Sequence, residues 1–193
     1  LSRQPGDSIA TVDLQGQLDL IRAAKDTSTS HFTFVSIPRS PVRESPLTRA
    51  KYRVEAELAD SGIPYTILAA NYFMEVWLSP ALGFDYPNRK AVVFGDGRQL
   101  MSWVSYEDVA EFAVRCAETT AAHNRVLETG GPEDLSPLEV IRIFERSAGG
   151  PFDVQHVPED ALLAQLEQAA DPLSETFCKL QLEYLHGCLM NTS

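Results

Sequence analysis

One stretch constrains the fold more than any other, because two apolar runs flank a segment of helical period between His31 and Ala70. His31-Phe32-Thr33-Phe34-Val35-Ser36 is rich in aromatic and β-branched residues, which suits a buried strand, and Pro38 and Pro41 end it. Ser45-Pro46 then opens a helix. Leu47, Ala50, Val54 and Leu58 recur along it every three or four residues, and Ser61-Gly62 closes it as a C-cap. Ile63 to Ala70 is the next strand; its apolar run, Tyr65 to Ala69, leads into Asn71-Tyr72-Phe73. Two strands separated by a helix of this length predict a parallel, right-handed crossover. A parallel sheet carries its ligands beyond the carboxyl ends of its strands. The functional rim is therefore expected there.

The flanks fit the same plan. Asp13 to Lys25 sets Leu14, Leu18, Ile21 and Ala24 on one stripe at helical spacing, with Asp13 as the expected N-cap. Ser79 to Arg89 reads as a loop or short helix, and Lys90 to Phe94 as a short strand before a Gly95-Asp96-Gly97 hairpin turn. Met101 to Val104 is extended, and Ser105 to Asp108 offers caps to a helix over Val109 to Glu118, with Asp108 assigned to capping. Val126 to Thr129 reads as a last sheet strand. Leu135-Ser136-Pro137 opens a helix running to Ser147, and Ala161 to Ala169 begins another helical region. There is no internal repeat and no low-complexity linker.

Composition excludes several classes of function. Sixteen basic residues stand against twenty-seven acidic ones, a formal net charge of −11, which repels phosphate backbones and anionic membrane surfaces. No nucleic acid is expected as a direct partner, and no apolar run approaches the roughly 18 residues of a membrane span. Three cysteines, Cys116, Cys178 and Cys188, share no C-x-x-C spacing, and no charged-then-apolar leader opens the chain. Reduced thiols in a cytoplasmic protein are the expectation. A chain of 193 residues with 44% hydrophobic content is expected to form one domain. The four histidines, His31, His123, His156 and His186, lack the spacing or cysteine company of a metal site, so none is expected. Neither a G-x-S-x-G elbow nor a G-x-G-x-x-G phosphate loop occurs, and Gly95-Asp96-Gly97 has no helix N-terminus behind it.

Four pieces in order, DLQGQLDLIRAAK with HFTFVS, AKYRVEAELADSGIPYTIL with ANYF, FGDGRQLMSWVSYEDVAEFA, and LETGGPEDLSPLEVIRIFE, resemble the NmrA-like and isoflavone-reductase-like branch of the atypical short-chain dehydrogenase/reductases. The resemblance spans about Asp13 to Pro158. It implies an α/β fold: the carboxyl-terminal portion of a partial Rossmann-like parallel sheet with a small, mostly helical substrate lobe. Residues 1–193 would form one such domain, the sheet portion over about 10–75 and 100–130 and the lobe over about 76–99 and 131–193. It also implies NADP or NAD as cofactor. The glycine loop and half the sheet would then precede this chain, which is either a fragment of a longer protein or a remnant with another task. A truncated sheet leaves an open edge, so self-association is expected as well.

The resemblance also assigns residues. Lys51 matches the helix Lys that bonds the nicotinamide ribose in the superfamily, where a partner Tyr lies four residues earlier on the same face. That position is Leu47 here, which can neither give nor take a proton. In the isoflavone-reductase-like branch the Lys itself serves as acid or base, and burial that lowers its pKa would suit it to that work. The plainer reading is a solvated lysine. Ser36, at a strand end, is the second catalytic candidate, against the plainer reading of a turn former. Asn71 and Phe73 are expected to contact the cofactor, and Tyr72 and Met74 the substrate, although aromatic residues at such positions also serve as core. The implied activity is that of an NAD(P)-dependent oxidoreductase on a small carbonyl, quinone or enone-like substrate. The alternative is a non-catalytic NAD(P)-sensing regulator or protein-binding module, which Leu47 and the missing glycine loop favour.

Overall fold

The computed structural model describes residues 4–40 and 44–190. Its elements in chain order are α1 (Gln17–Asp26), β1 (Phe32–Ser36), α2 (Pro46–Asp60), β2 (Tyr65–Ala70), β3 (Tyr72–Phe73), α3 (Met74–Trp77), β4 (Phe84–Asp85) and β5 (Lys90–Phe94). They continue with β6 (Met101–Val104), α4 (Tyr106–Glu118), β7 (Arg125–Thr129), β8 (Asp134–Leu135), α5 (Pro137–Ala148), β9 (Asp153–Val157), α6 (Glu159–Glu167) and α7 (Pro172–His186). Three sheets result, in the orders β1-β2-β7, β3-β6-β8 and β4-β5-β9.

The first sheet is wholly parallel, with Phe34 opposite Ile67 and Ile67 opposite Val126. This is the crossover that the strand-helix-strand pattern predicts. Because side chains alternate across a strand, Ile67 faces a core shared with Ile21, Phe34, Val54 and Leu58, while Leu68 faces one shared with Val104, Val109 and Cys116. Covered on both faces, β2 is apolar from Ile67 to Ala70, and the one buried polar side chain, Thr66, bonds the Ala122 carbonyl. The stripe of Leu14, Leu18, Ile21 and Ala24 packs on the first of these cores, as its spacing requires. A third core gathers Tyr72, Phe94, Met101, Trp103, Ile141 and Tyr184 from elements outside that sheet.

Helix α2 is defined at both ends by local chemistry. Ser45 accepts the Thr48 N–H at 3.2 Å and Pro46 fills the first turn, where its missing N–H costs nothing. Gly62 follows with φ of +80°, a left-handed exit that a side chain would strain. Pro41 falls outside the described residues.

Several expectations need correction. Asp13 is not an N-cap: the helical path starts earlier, at Ser8, whose side chain accepts the Thr11 N–H, and Ile9–Gly16 forms a wide π-helical segment with Asp13 buried inside it. Helix α4 begins at Tyr106 with Ser105 as its cap, so Asp108 lies in the first turn as the residue whose amide is capped. Gly95-Asp96-Gly97 turns the chain but joins no hairpin. The strands on either side, β5 and β6, belong to different sheets, and β5 pairs instead with β4 and β9. Among the described residues no helix is long and apolar enough to cross a membrane.

Candidate active site at the sheet rim

Lys51 sits one turn into α2, and its ammonium reaches over the end of β1. Nζ donates to the Val35 carbonyl at 2.8 Å and lies 4.9 Å from the centre of the Phe34 ring. Loss of solvent lowers its pKa from the ordinary lysine value, while the charges of Asp13 and Glu55 act in the opposite sense. The side chain is half-buried, so it is not a solvated lysine lying along its helix. Leu47, one turn earlier, is buried against Ile9 and Ala50.

Ser36 is almost wholly buried at 1% exposure, and its hydroxyl donates to Oε1 of Glu55 on α2 at 2.5 Å. Asn71 follows β2 directly. Ser36 is opposite Ala69 in register, so Asn71 stands two residues beyond it on the same rim. The Asn71 amide N–H donates to the Thr129 carbonyl, and its Oδ1 accepts from the Cys188 thiol at 2.8 Å. Among the described residues its Nδ2 is buried without a hydrogen-bond partner, which is costly unless something accepts from it.

The next residues diverge. Tyr72 turns into the third core beside Trp77 and Tyr184, and its hydroxyl donates toward the Leu180 carbonyl at 3.1 Å and Glu183 at 3.3 Å. Phe73 turns the other way, onto the Tyr106 ring 4.7 Å distant, and Met74 starts α3 against the third core. Lys51, Ser36 and Asn71 thus share the rim, whereas Tyr72, Phe73 and Met74 are held largely by packing. A recess of about 660 Å³ opens beside α2, lined by Ile9, Leu14, Pro46, Ala50 and Leu173 and by the charged residues Asp7, Asp13, Arg49 and Asp171. None of the six residues assigned from sequence lines it. Asp13 connects the two places, because its charge also acts on Lys51.

A search against protein families matches residues 7–184 to the NmrA-like family. The chain belongs to that family. Among its relatives, the isoflavone reductase homolog IRL of Zea mays is 33% identical over 129 residues, covering 65% of this chain and 42% of that protein. The phenylcoumaran benzylic ether reductase Pyrc5 of Pyrus communis is 31% identical over 141 residues, with 69% and 44% covered. This NmrA-like chain therefore spans less than half the length of those two relatives. Among solved structures, the binary complex of leucoanthocyanidin reductase with NADPH from Vitis vinifera superposes with a TM-score of 0.75 at 22% identity, over 94% of this chain and 65% of that one. That likeness supports the Rossmann-like α/β fold.

The sequence alone misses Glu55. It stands in a charged helical run, RVEAELAD, that reads as a solvated face, yet it is only 4% exposed. Its partners, Ser36 and Arg39, come from the preceding strand and loop, and only the packing of α2 on β1 reveals them. The histidines are scattered in sequence but not all in space: the His31 and His123 rings stack with centroids 4.9 Å apart.

Proposed function

We propose that this chain forms the carboxyl-terminal portion of an NAD(P)-dependent reductase acting on a small carbonyl, quinone or enone-like substrate. The observation that carries the reading is the pairing, at one strand rim, of a desolvated Lys51 ammonium with the unsatisfied Nδ2 of Asn71. Both groups suit the nicotinamide ribose end of such a cofactor, which offers hydroxyl and carboxamide oxygens. The glycine loop that would hold its phosphates is absent from the 193 residues. Relatives described as reductases, and a structural neighbour solved with NADPH, agree with this choice.

When bound, a reduced nicotinamide supplies hydride. The work of this chain is orientation and proton supply. Lys51 Nζ, held by the Val35 carbonyl, has two further protons with which to bond a ribose hydroxyl or to protonate a developing alkoxide, and its lowered pKa makes that proton easier to give. Leu47 leaves no tyrosine to do this, so Lys51 is assigned both roles. Asn71 Nδ2 would be free to donate to a carbonyl oxygen of that group. The recess, where Asp7, Asp13 and Asp171 outnumber Arg49 beside an apolar wall, suits a small substrate without negative charge.

Titrating the purified chain with NADPH while following its fluorescence tests the reading. Saturable binding weakened by Asn71→Leu, with quinone reduction lost in Lys51→Met, is the expected result. No saturable binding would remove the reading for this chain. Leu47 favours one rival, an NAD(P)-sensing regulator or protein-binding module. Binding that persists with no turnover on any quinone or enone would favour the sensor.

A further inference from the structure

The end of β1 and the residues just after it are gripped by one face of α2, and the grip centres on a buried carboxylate. Glu55 Oε1 accepts the Ser36 hydroxyl, and Oε2 accepts from Arg39 Nη2 at 2.6 Å. The Arg39 guanidinium lies over the Tyr52 ring, 4.3 Å from its centre, and the Tyr52 hydroxyl donates to the Pro38 carbonyl at 3.1 Å. Lys51 completes the set by donating to the Val35 carbonyl. Residues 51, 52 and 55 of α2 thus hold residues 35 to 39.

A carboxylate this buried is retained only when its oxygens are bonded and its charge is answered. Ser36 and Arg39 answer it directly, and Lys51 lies one helical turn away, at the spacing that puts two side chains on one face. Disturbing any member would shift the end of β1, and with it the carbonyl on which the ammonium rests.

We propose that Glu55 is the positioning residue of the rim: by clamping Ser36 and Arg39 it fixes the Val35 carbonyl and so sets where the Lys51 ammonium points. Ser36 then acts through this clamp, with its hydroxyl directed to Glu55. The groups facing Lys51 are Asp13 from the π-helical segment, Glu55 from its own helix, and the Val35 carbonyl and Phe34 ring from β1. The inference takes its importance from the role of Lys51 in the proposed function, but its test needs no cofactor.

Amine labelling of the intact chain with a small acylating reagent, read by mass spectrometry across pH, reports on Lys51 against the exposed Lys90. In Glu55→Gln the ammonium loses both a fixed docking point and a nearby negative charge. The Lys51-to-Lys90 labelling ratio is expected to rise several-fold and the Lys51 profile to move to lower pH, with Glu55→Asp restoring part of each. Ser36→Ala removes only a hydroxyl and keeps the carboxylate, so it guards against a Glu55 variant that fails to fold. It is expected to raise the ratio with the profile in place. An unchanged ratio in folded Ser36→Ala, or an unchanged profile in folded Glu55→Gln, would overturn the proposal. A chain that labels as expected yet fails to bind NADPH would contradict the reductase reading and leave the clamp standing.

Discussion

Truncating Leu58 to alanine gives a direct measure of how firmly α2 is held. Leu58 is fully buried among Ile21, Phe34, Val54, Ile63 and Ile67, which come from α1, β1, α2 itself, the turn before β2 and the middle of β2. Going from leucine to alanine forfeits transfer free energy of about 2.4 kcal/mol at ~0.8 kcal/mol for each carbon removed. Phe34 and Ile67 stand on strands locked in a parallel ladder, and Ile21 and Val54 on helices packed against it, so they cannot close the hole. The residual cavity raises the expected loss to about 3–4 kcal/mol. Leu20, on α1 but 54% exposed, is the matched control, and its truncation is expected to cost no more than about 0.5 kcal/mol. Urea unfolding of each variant, followed by circular dichroism with a common m-value, measures both. A Leu58 loss below about 1 kcal/mol, or one equal to that of Leu20, would refute the account of α2 packing, since burial of that side chain would then carry no weight.

Two further outcomes follow from local geometry. A methyl group at Gly131 would run into the Trp103 carbonyl oxygen on β6, so Gly131→Ala is expected to destabilise the chain by about 1–3 kcal/mol in the same assay; no loss would contradict that approach. Hydrogen bonds from the Ser136 hydroxyl, first, and the Ser136 amide lower the pKa of Glu139 at the start of α5. Its native value is below its unfolded one, so its contribution is present above the ordinary glutamate range and is lost as pH falls through the lowered value. In Ser136→Ala the Glu139 titration, read by carboxyl NMR, is expected to move up; no movement would show that the capping pair does not form in solution.

What could be read from sequence was set by the range of the interactions. The pattern of β1, α2 and β2 is local and strong: apolar runs for the strands, a stripe from Leu47 to Leu58 for the helix, and Ser45-Pro46 and Gly62 at its ends. The parallel pairing then followed from the length of the crossover, and the family from the order of the motifs. The helix starts were misplaced for a physical reason. A regular 3.6-residue period finds the stripe from Leu14 onward but not the π-helical turn before it, whose start is marked by the reciprocal Ser8 and Thr11 bonds. Strand β9, Asp153–Val157, shows little alternation and has no local signal in the sequence; it exists because β5 pairs with it. Helix α7 does carry a local signal, Asp171-Pro172 as cap and first turn. At the rim, Lys51, Ser36 and Asn71 could be named because strand ends can be located. Glu55 could not, because its burial depends on residues 16 and 19 positions away.

Helix α7 and the residues just after it are bonded to the rim from the far end of the chain. Thr176 accepts the Leu47 amide across 129 positions, the Leu180 carbonyl takes the Tyr72 hydroxyl across 108, and Cys188 reaches Asn71 across 117. Contacts of such separation are closed late, because the intervening chain must first surrender its freedom. On the ribosome, the strands and helix bearing Lys51 will have emerged long before the segment that seats the first turn of that helix and partners Asn71. The nascent chain must therefore wait, with its rim half assembled, until residues 176 to 188 have been synthesised.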